Sequence, residues 1–190
     1  MNLEKIINFI FEIGQLKRQK HSGWKLAGVN NPDTVAEHVM RATQIGYLLA
    51  VIEGVNPEKV ASMLLFHDNG KTRVGDQHRV TARYSLKKEG EEFSFCDQVE
   101  GVGGEFEKRL LKYCEELKEG SSLESKIVHD ANLLEMAFQA KEYIDTGYKS
   151  ADDWINNVER GLKTENGMLM LKKMKKTEFT DWWKDLKVRN

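Results

Sequence analysis

Three side chains in this sequence have the types and spacing of a divalent-metal site. His38 sits in the segment TVAEHVMRA, and His67 and Asp68 stand side by side in LLFHDNGKTRVGD. His38 follows Val35 by three residues and precedes Ala42 by four, so on a helix it shares their inward face. His67 follows Met63 by four and Val60 by seven, and it too points inward. Asp68 closes the same helix. A negative charge there opposes the helix dipole, and a cation would compensate it. Mixed imidazole and carboxylate donors suit Mn, Co, Fe, Ni or Zn better than Ca. Taken singly, each residue has a plainer reading: inward histidines are often hydrogen-bonded core residues, and an aspartate at a helix end is often only solvated.

These residues need helices to position them, and the sequence supplies a run of them. Ile6, Phe9, Ile10, Ile13 and Leu16 make an apolar stripe that predicts a helix over Leu3 to Lys17. The next stretch, KRQKHSGWKLAGVNNPD, is rich in Gly and Asn and reads as a loop. Thr34 with Glu37 forms a capping box for the helix that carries His38. Asn56 and Pro57 start the helix that ends at His67-Asp68. A weaker pattern predicts a helix from Thr81 to Gln98, and EFEKRLLKYCEELKEG is a clear one ending at Gly120. SSLE opens a long helix reaching Asp145 that is apolar around most of its circumference, which marks it as central. Ser150 caps ADDWINNVERGL, and two shorter helices follow. No alternating strand pattern occurs. The fold class is therefore all-α, one domain over residues 1–190, with a core at about 16–148 and C-terminal helices at 150–190 packed on it.

Bulk composition narrows the partners. Lys plus Arg is 29 against 30 Asp plus Glu, a net charge of -1, so a nucleic-acid polymer is not the expected ligand. Cys96 and Cys114 are too few for a disulfide framework, which fits a reducing, cytoplasmic setting. The N-terminal stripe is interrupted by Glu4, Lys5, Asn8 and Glu12, so it is an amphipathic helix, and no run is long enough to span a membrane.

The order of His38, then His67-Asp68, then an acidic or amide residue in VHDANLLEMAFQAKEY resembles the HD-domain metal-dependent phosphohydrolases. The segments SGWKLAGVNNPDTVAEHVMRA and HDNGKTRVGD are most similar to the 5'-deoxynucleotidase-like branch. The resemblance runs from Leu16 to about Tyr148. It implies a helical bundle around one divalent ion, a small nucleotide as substrate, release of a 5'-phosphate, and a homodimer. It makes His38, His67 and Asp68 ligands, with a fourth from the long helix. Family register puts that ligand at Asn132, whereas periodicity places Asp130 on the apolar face; the two lie about 200° apart, so one face cannot hold both. Asp76 is expected to orient or deprotonate a water or to hold the sugar, and Trp24 to close over the nucleoside. Glu37, Arg18 and His21 are further expected substrate contacts. Lys71 stands where the family commonly has a glutamate, and His21 where it often has an arginine. A lysine does not copy a carboxylate in proton transfer but suits a phosphate. The alternatives are a degenerate HD domain that binds a nucleotide or protein partner without turnover, and hydrolysis of another phosphoester such as a cyclic nucleotide or alarmone.

Overall fold

The computed structural model describes residues 2–85, 87–184 and 186. Its helices are α1 (Leu3–Ile13), α2 (Val35–Glu53), α3 (Pro57–Phe66), α4 (Lys71–Val74), α5 (Arg79–Ala82), α6 (Lys87–Val99), α7 (Gly104–Glu119), α8 (Leu123–Asp145), α9 (Asp152–Gly161), α10 (Glu165–Met174) and α11 (Asp181–Lys184). Apart from one isolated antiparallel bridge between Lys20 and Thr34, the described residues contain no β-structure. The molecule is all-α.

α2, α3 and α8 form the centre, and α9 and α10 cover it. The core is built from Leu49, Val60, Met63, Leu64, Ile127, Ala131 and Leu134, all fully buried or nearly so. α3 lies close on α2 because position 46 is glycine: a methyl there would sit 2.1 Å from Leu64 Cδ1 and 3.2 Å from Val60 Cγ1. This contact brings the end of α3, and with it His67-Asp68, against the helix that carries His38. The expected caps form. The Thr34 side chain accepts from the Glu37 N–H while Glu37 accepts from the Thr34 N–H, and Asn56 accepts from the Lys59 N–H at 2.9 Å.

Three boundaries differ from the sequence reading. α1 stops at Ile13, where Gly14 passes the chain into a 3-10 turn over Gly14–Lys17. The helix expected from Thr81 to Gln98 is two helices, α5 and α6, and the junction between them includes residue 86, outside the described residues. Ser150 lies within a 3-10 turn, Lys149–Ala151, and does not cap α9, because fully buried Ala151 takes the capping position. The stretch read as a loop is ordered. It holds a 3-10 turn over Ser22–Ala27, and residues 19–21 run antiparallel to 33–35. Residues 185 and 187–190 of the expected C-terminal helices lie outside the described residues. No helix among the described residues is long and apolar enough to cross a membrane.

Candidate metal centre and substrate cleft

The side chain of Asn132, on α8, gathers both histidines. His38 Nε2 is 2.8 Å and His67 Nε2 3.3 Å from Asn132 Oδ1. Asp68 closes the group, with carboxylate oxygens 3.9 Å from His38 Nε2 and 3.5 Å from His67 Nε2. The far side of each ring is occupied. His38 Nδ1 is hydrogen-bonded to the Glu135 carboxylate, and His67 Nδ1 lies 2.7 Å from the Leu64 carbonyl oxygen. Both acceptors place the ring proton on Nδ1 and leave the Nε2 lone pair facing the centre, the arrangement that second partners impose on metal-binding histidines. With both rings neutral, two imidazole lone pairs, an amide oxygen and a carboxylate converge. That donor set fits a divalent cation.

Charge balance around the group is tight. Glu135, itself buried, also accepts from Arg41 Nε at 3.0 Å, and Arg41 reaches Glu142 and Gln139. Burial disfavours the His38 imidazolium, but hydrogen bonding and attraction to Glu135 outweigh it and hold the ring above the ordinary histidine value. At His67 burial wins and lowers the pKa. Burial alone would raise Asp68, yet His67, Lys71 and His38 together keep its carboxyl far below the usual range. Lys71 Nζ sits 3.0 Å from Asp68 Oδ2 and 3.0 Å from Asp76 Oδ1. Those carboxylates overcome its burial and hold it firmly cationic. Asp76 is depressed as well: Lys71 and His21 outweigh burial, helped by the Ser22 N–H at 2.7 Å and the Ser22 hydroxyl at 3.0 Å. Gly75, at φ 81°, makes the turn that swings Asp76 back toward Ser22.

A family model described as HD domain matches residues 13–172. The chain belongs to the HD domain family. It is 28% identical over 142 residues to the 5'-deoxynucleotidase HDDC2 of Danio rerio, covering 74% of this chain and 70% of that one. The Bos taurus 5'-deoxynucleotidase HDDC2 is 29% identical over 143 residues, covering 74% and 68%. Among solved structures, a protein of Pyrococcus horikoshii OT3 superposes with a TM-score of 0.76 at 26% identity, over 90% of this chain and 98% of that one.

Within this HD domain the expected site residues divide. His38, His67, Asp68, Asn132, Lys71, Asp76 and His21 come together. Asp130 does not join them. It is fully buried and points to the start of α10, where its oxygens accept from the Lys163 N–H at 2.8 Å, the Thr164 N–H at 2.8 Å and the Thr164 hydroxyl at 2.7 Å. These bonds offset the cost of a carboxylate on an apolar face. Trp24 has no exposed surface. Its ring is stacked on Trp154 at 5.0 Å and meets Tyr143 edge-on at 5.1 Å, so it plugs the core and has no face left for a base. Glu37 is engaged in the capping box and borders a separate surface hollow. Arg18 is exposed and reaches back to the Gly14 carbonyl.

A cleft of about 350 Å³ opens on the centre, in the size range of small-molecule sites. His38, Lys71, Asp76 and Asn132 line it, together with His78 and Arg79, and so do Leu133, Met136, Trp154 and Asn157. Sequence reasoning missed Glu135 and Trp154. Glu135 had a signal, since it follows Asn132 by three residues and so shares its helix face. Trp154 had none, because only the packing of α9 on α8 brings it to the cleft.

Proposed function

We propose that this protein is a metal-dependent phosphohydrolase that releases the 5'-phosphate of deoxynucleoside monophosphates. One observation carries the reading: a single cleft is lined both by the convergent donors His38 and Asn132 with Lys71 and Asp76, and by the apolar and aromatic wall of Leu133, Met136 and Trp154. A nucleotide needs both, a cationic end for phosphate and a flat apolar surface for a base. His38, His67, Asp68 and Asn132 are the residues that hold the ion. When bound, a divalent ion there supplies positive charge to a phosphoryl group and acidifies a water molecule.

The chain's own residues do the rest. Glu135 and the Leu64 carbonyl fix the two rings with their lone pairs inward. Lys71 presents a fixed cation to phosphoryl oxygens, and His78 and Arg79 offer further donors along the cleft. Asp76 stays ionised and orients the attacking water as a hydrogen-bond acceptor, while Ser22 and Lys71 hold it in place. Trp154, stacked on Trp24, gives the base a rigid platform. The 5'-deoxynucleotidase relatives support this substrate class.

The reading includes a homodimer. Met40, Tyr47, Leu48, Val51 and Ile52 form an exposed apolar stripe along α2, whose buried face carries Ala42, Ile45 and Leu49. Such a stripe on a central helix suits cover by a second copy.

A second reading, a domain that binds nucleotide without turnover, draws on Lys71, whose ammonium group already occupies both Asp68 and Asp76. A phosphate-release screen separates the two. Purified protein is given the deoxynucleoside and ribonucleoside monophosphates with Mn, Co, Fe, Ni or Zn in turn. Phosphate release that favours the deoxy series supports the first reading. Binding of the same nucleotides without release supports the second.

A further inference from the structure

His21 sits on the wall of the centre, and its surroundings match those of the two expected histidine ligands. The ring is buried, only 4% exposed. Its strand of chain is pinned beside residues 33–35: the His21 N–H donates to the Asp33 carbonyl at 3.0 Å and the Val35 N–H to the Gln19 carbonyl at 2.8 Å. His21 Nδ1 lies 3.0 Å from the Asp33 carboxylate. Asp33 is itself fixed, with its backbone N–H 3.0 Å from the Tyr143 hydroxyl and that hydroxyl donating back to its carboxylate at 3.1 Å. A carboxylate thus lies beside Nδ1 in His21 as Glu135 does in His38, although at His21 the approach is an ion-pair distance without hydrogen-bond geometry. The two rings are 4.7 Å apart, nearer than His38 and His67 at 5.7 Å. A ligand atom from each of His21, His38 and Asp68 lies within 4.8 Å of the other two. Bonds of about 2.1 Å to one ion put opposite ligands roughly 4.2 Å apart, so a small side-chain shift closes these three around one ion, and His67 borders them through Asp68 and Asn132 rather than belonging to the close group.

We propose that His21 is an additional ligand of the metal centre, oriented by Asp33, so that the ion meets three imidazoles, one carboxylate and one amide oxygen. This rests on the reading of His38, His67, Asp68 and Asn132 as an ion-holding group. Its consequence is selectivity: a nitrogen-rich set with a single carboxylate takes Fe(II), Co(II), Ni(II) or Zn(II) in preference to Mn(II) or Mg(II). It also gives His21 a task other than gripping phosphate, for which the neighbouring Lys71 already supplies a cation.

Co(II) titration of the chelator-stripped, full-length protein tests this, read by calorimetry and by X-ray absorption at the cobalt edge, which counts imidazoles. The wild type is expected to show three. His21→Gln, which keeps volume and polarity, is expected to show two, with a Co(II) Kd raised tenfold or more and a reduced Co(II)-over-Mn(II) preference. Asp33→Asn keeps three imidazoles but raises the Kd, because the ring loses its orienting charge. Circular dichroism checks that each variant is folded; if His21→Gln is not, the wild-type count and Asp33→Asn still decide. Two imidazoles in the wild type, or an unchanged Kd in folded His21→Gln, overturns the role of His21 and leaves the ion-holding group standing. No uptake of Co(II) by the wild type removes both.

Discussion

Asp130 and Asn132 are two residues apart on one helix, and the structure gives them opposite consequences. Asp130→Ala removes the acceptor for the Lys163 N–H, the Thr164 N–H and the Thr164 hydroxyl, at 2.7–2.8 Å. Hydrogen bonds to a charged group contribute about 1.5–3 kcal/mol each, and buried donors left unpaired add to the loss, so about 4 kcal/mol is a fair lower figure. A chain of this size shifts in Tm by about 2–4 °C per kcal/mol, which makes roughly 8–16 °C. The loss is focused on the entry to α10, where Gly167 admits the carboxylate so closely that a methyl there would lie 2.7 Å from Asp130 Oδ2. The metal centre is untouched. Asn132→Ala does the reverse. Its amide oxygen meets the two ring nitrogens, so stability should change by about 0.5 kcal/mol or less while divalent-ion affinity falls about tenfold or more. Thermal unfolding without metal and calorimetric Co(II) titration, run on both variants, read the two effects separately. Asp130→Ala that keeps its Tm but loses the ion, or Asn132→Ala with wild-type affinity, would refute the assignment.

Three further outcomes follow from the same geometry. Lys71→Met should raise metal affinity, because Lys71 Nζ is 3.0 Å from the Asp68 carboxylate and its charge repels any cation bound there; at a separation of roughly 5 Å that repulsion is about 1.7 kcal/mol even at the dielectric of bulk water, more than tenfold in Kd, and an unchanged Kd in calorimetry would speak against it. The same variant should slow phosphate release if Lys71 holds the phosphoryl oxygens. Asp33, Asp68 and Asp76 are all held below the ordinary carboxylate value of 3.8, so each favours the folded state above that value, and this stability is lost as pH falls below it; urea midpoints of the metal-free protein should drop steeply between about pH 4 and 2.5, and a flat profile would contradict it. Leu48→Asp together with Val51→Asp should turn a dimer into a folded monomer by light scattering after size exclusion, whereas a monomeric wild type would remove the proposed α2 interface.

The amino-acid sequence by itself determined much of this protein. Helical spacing alone faced His38 and His67 inward, and the helix end placed Asp68 beside them, because these relations depend only on residues within one or two turns. The caps at Thr34 and Asn56 were legible for the same reason. What lay beyond was decided by contacts between distant segments. Periodicity correctly buried Asp130, but whether a buried carboxylate meets a metal or a helix start depends on Lys163 and Thr164, more than thirty residues away. Trp24 and Trp154 are equivalent as residues. Only the packing of α9 on α8, which stacks Trp154 on Trp24, makes the first a plug and the second a wall of the cleft. Lys71 could be read as a departure from the family pattern, yet its bridging of Asp68 and Asp76 required the turn at Gly75 to bring the second carboxylate back. His21 owes its place beside His38 to the antiparallel pairing of residues 19–21 with 33–35. Local spacing sets which face a side chain takes, and tertiary packing sets what it meets there.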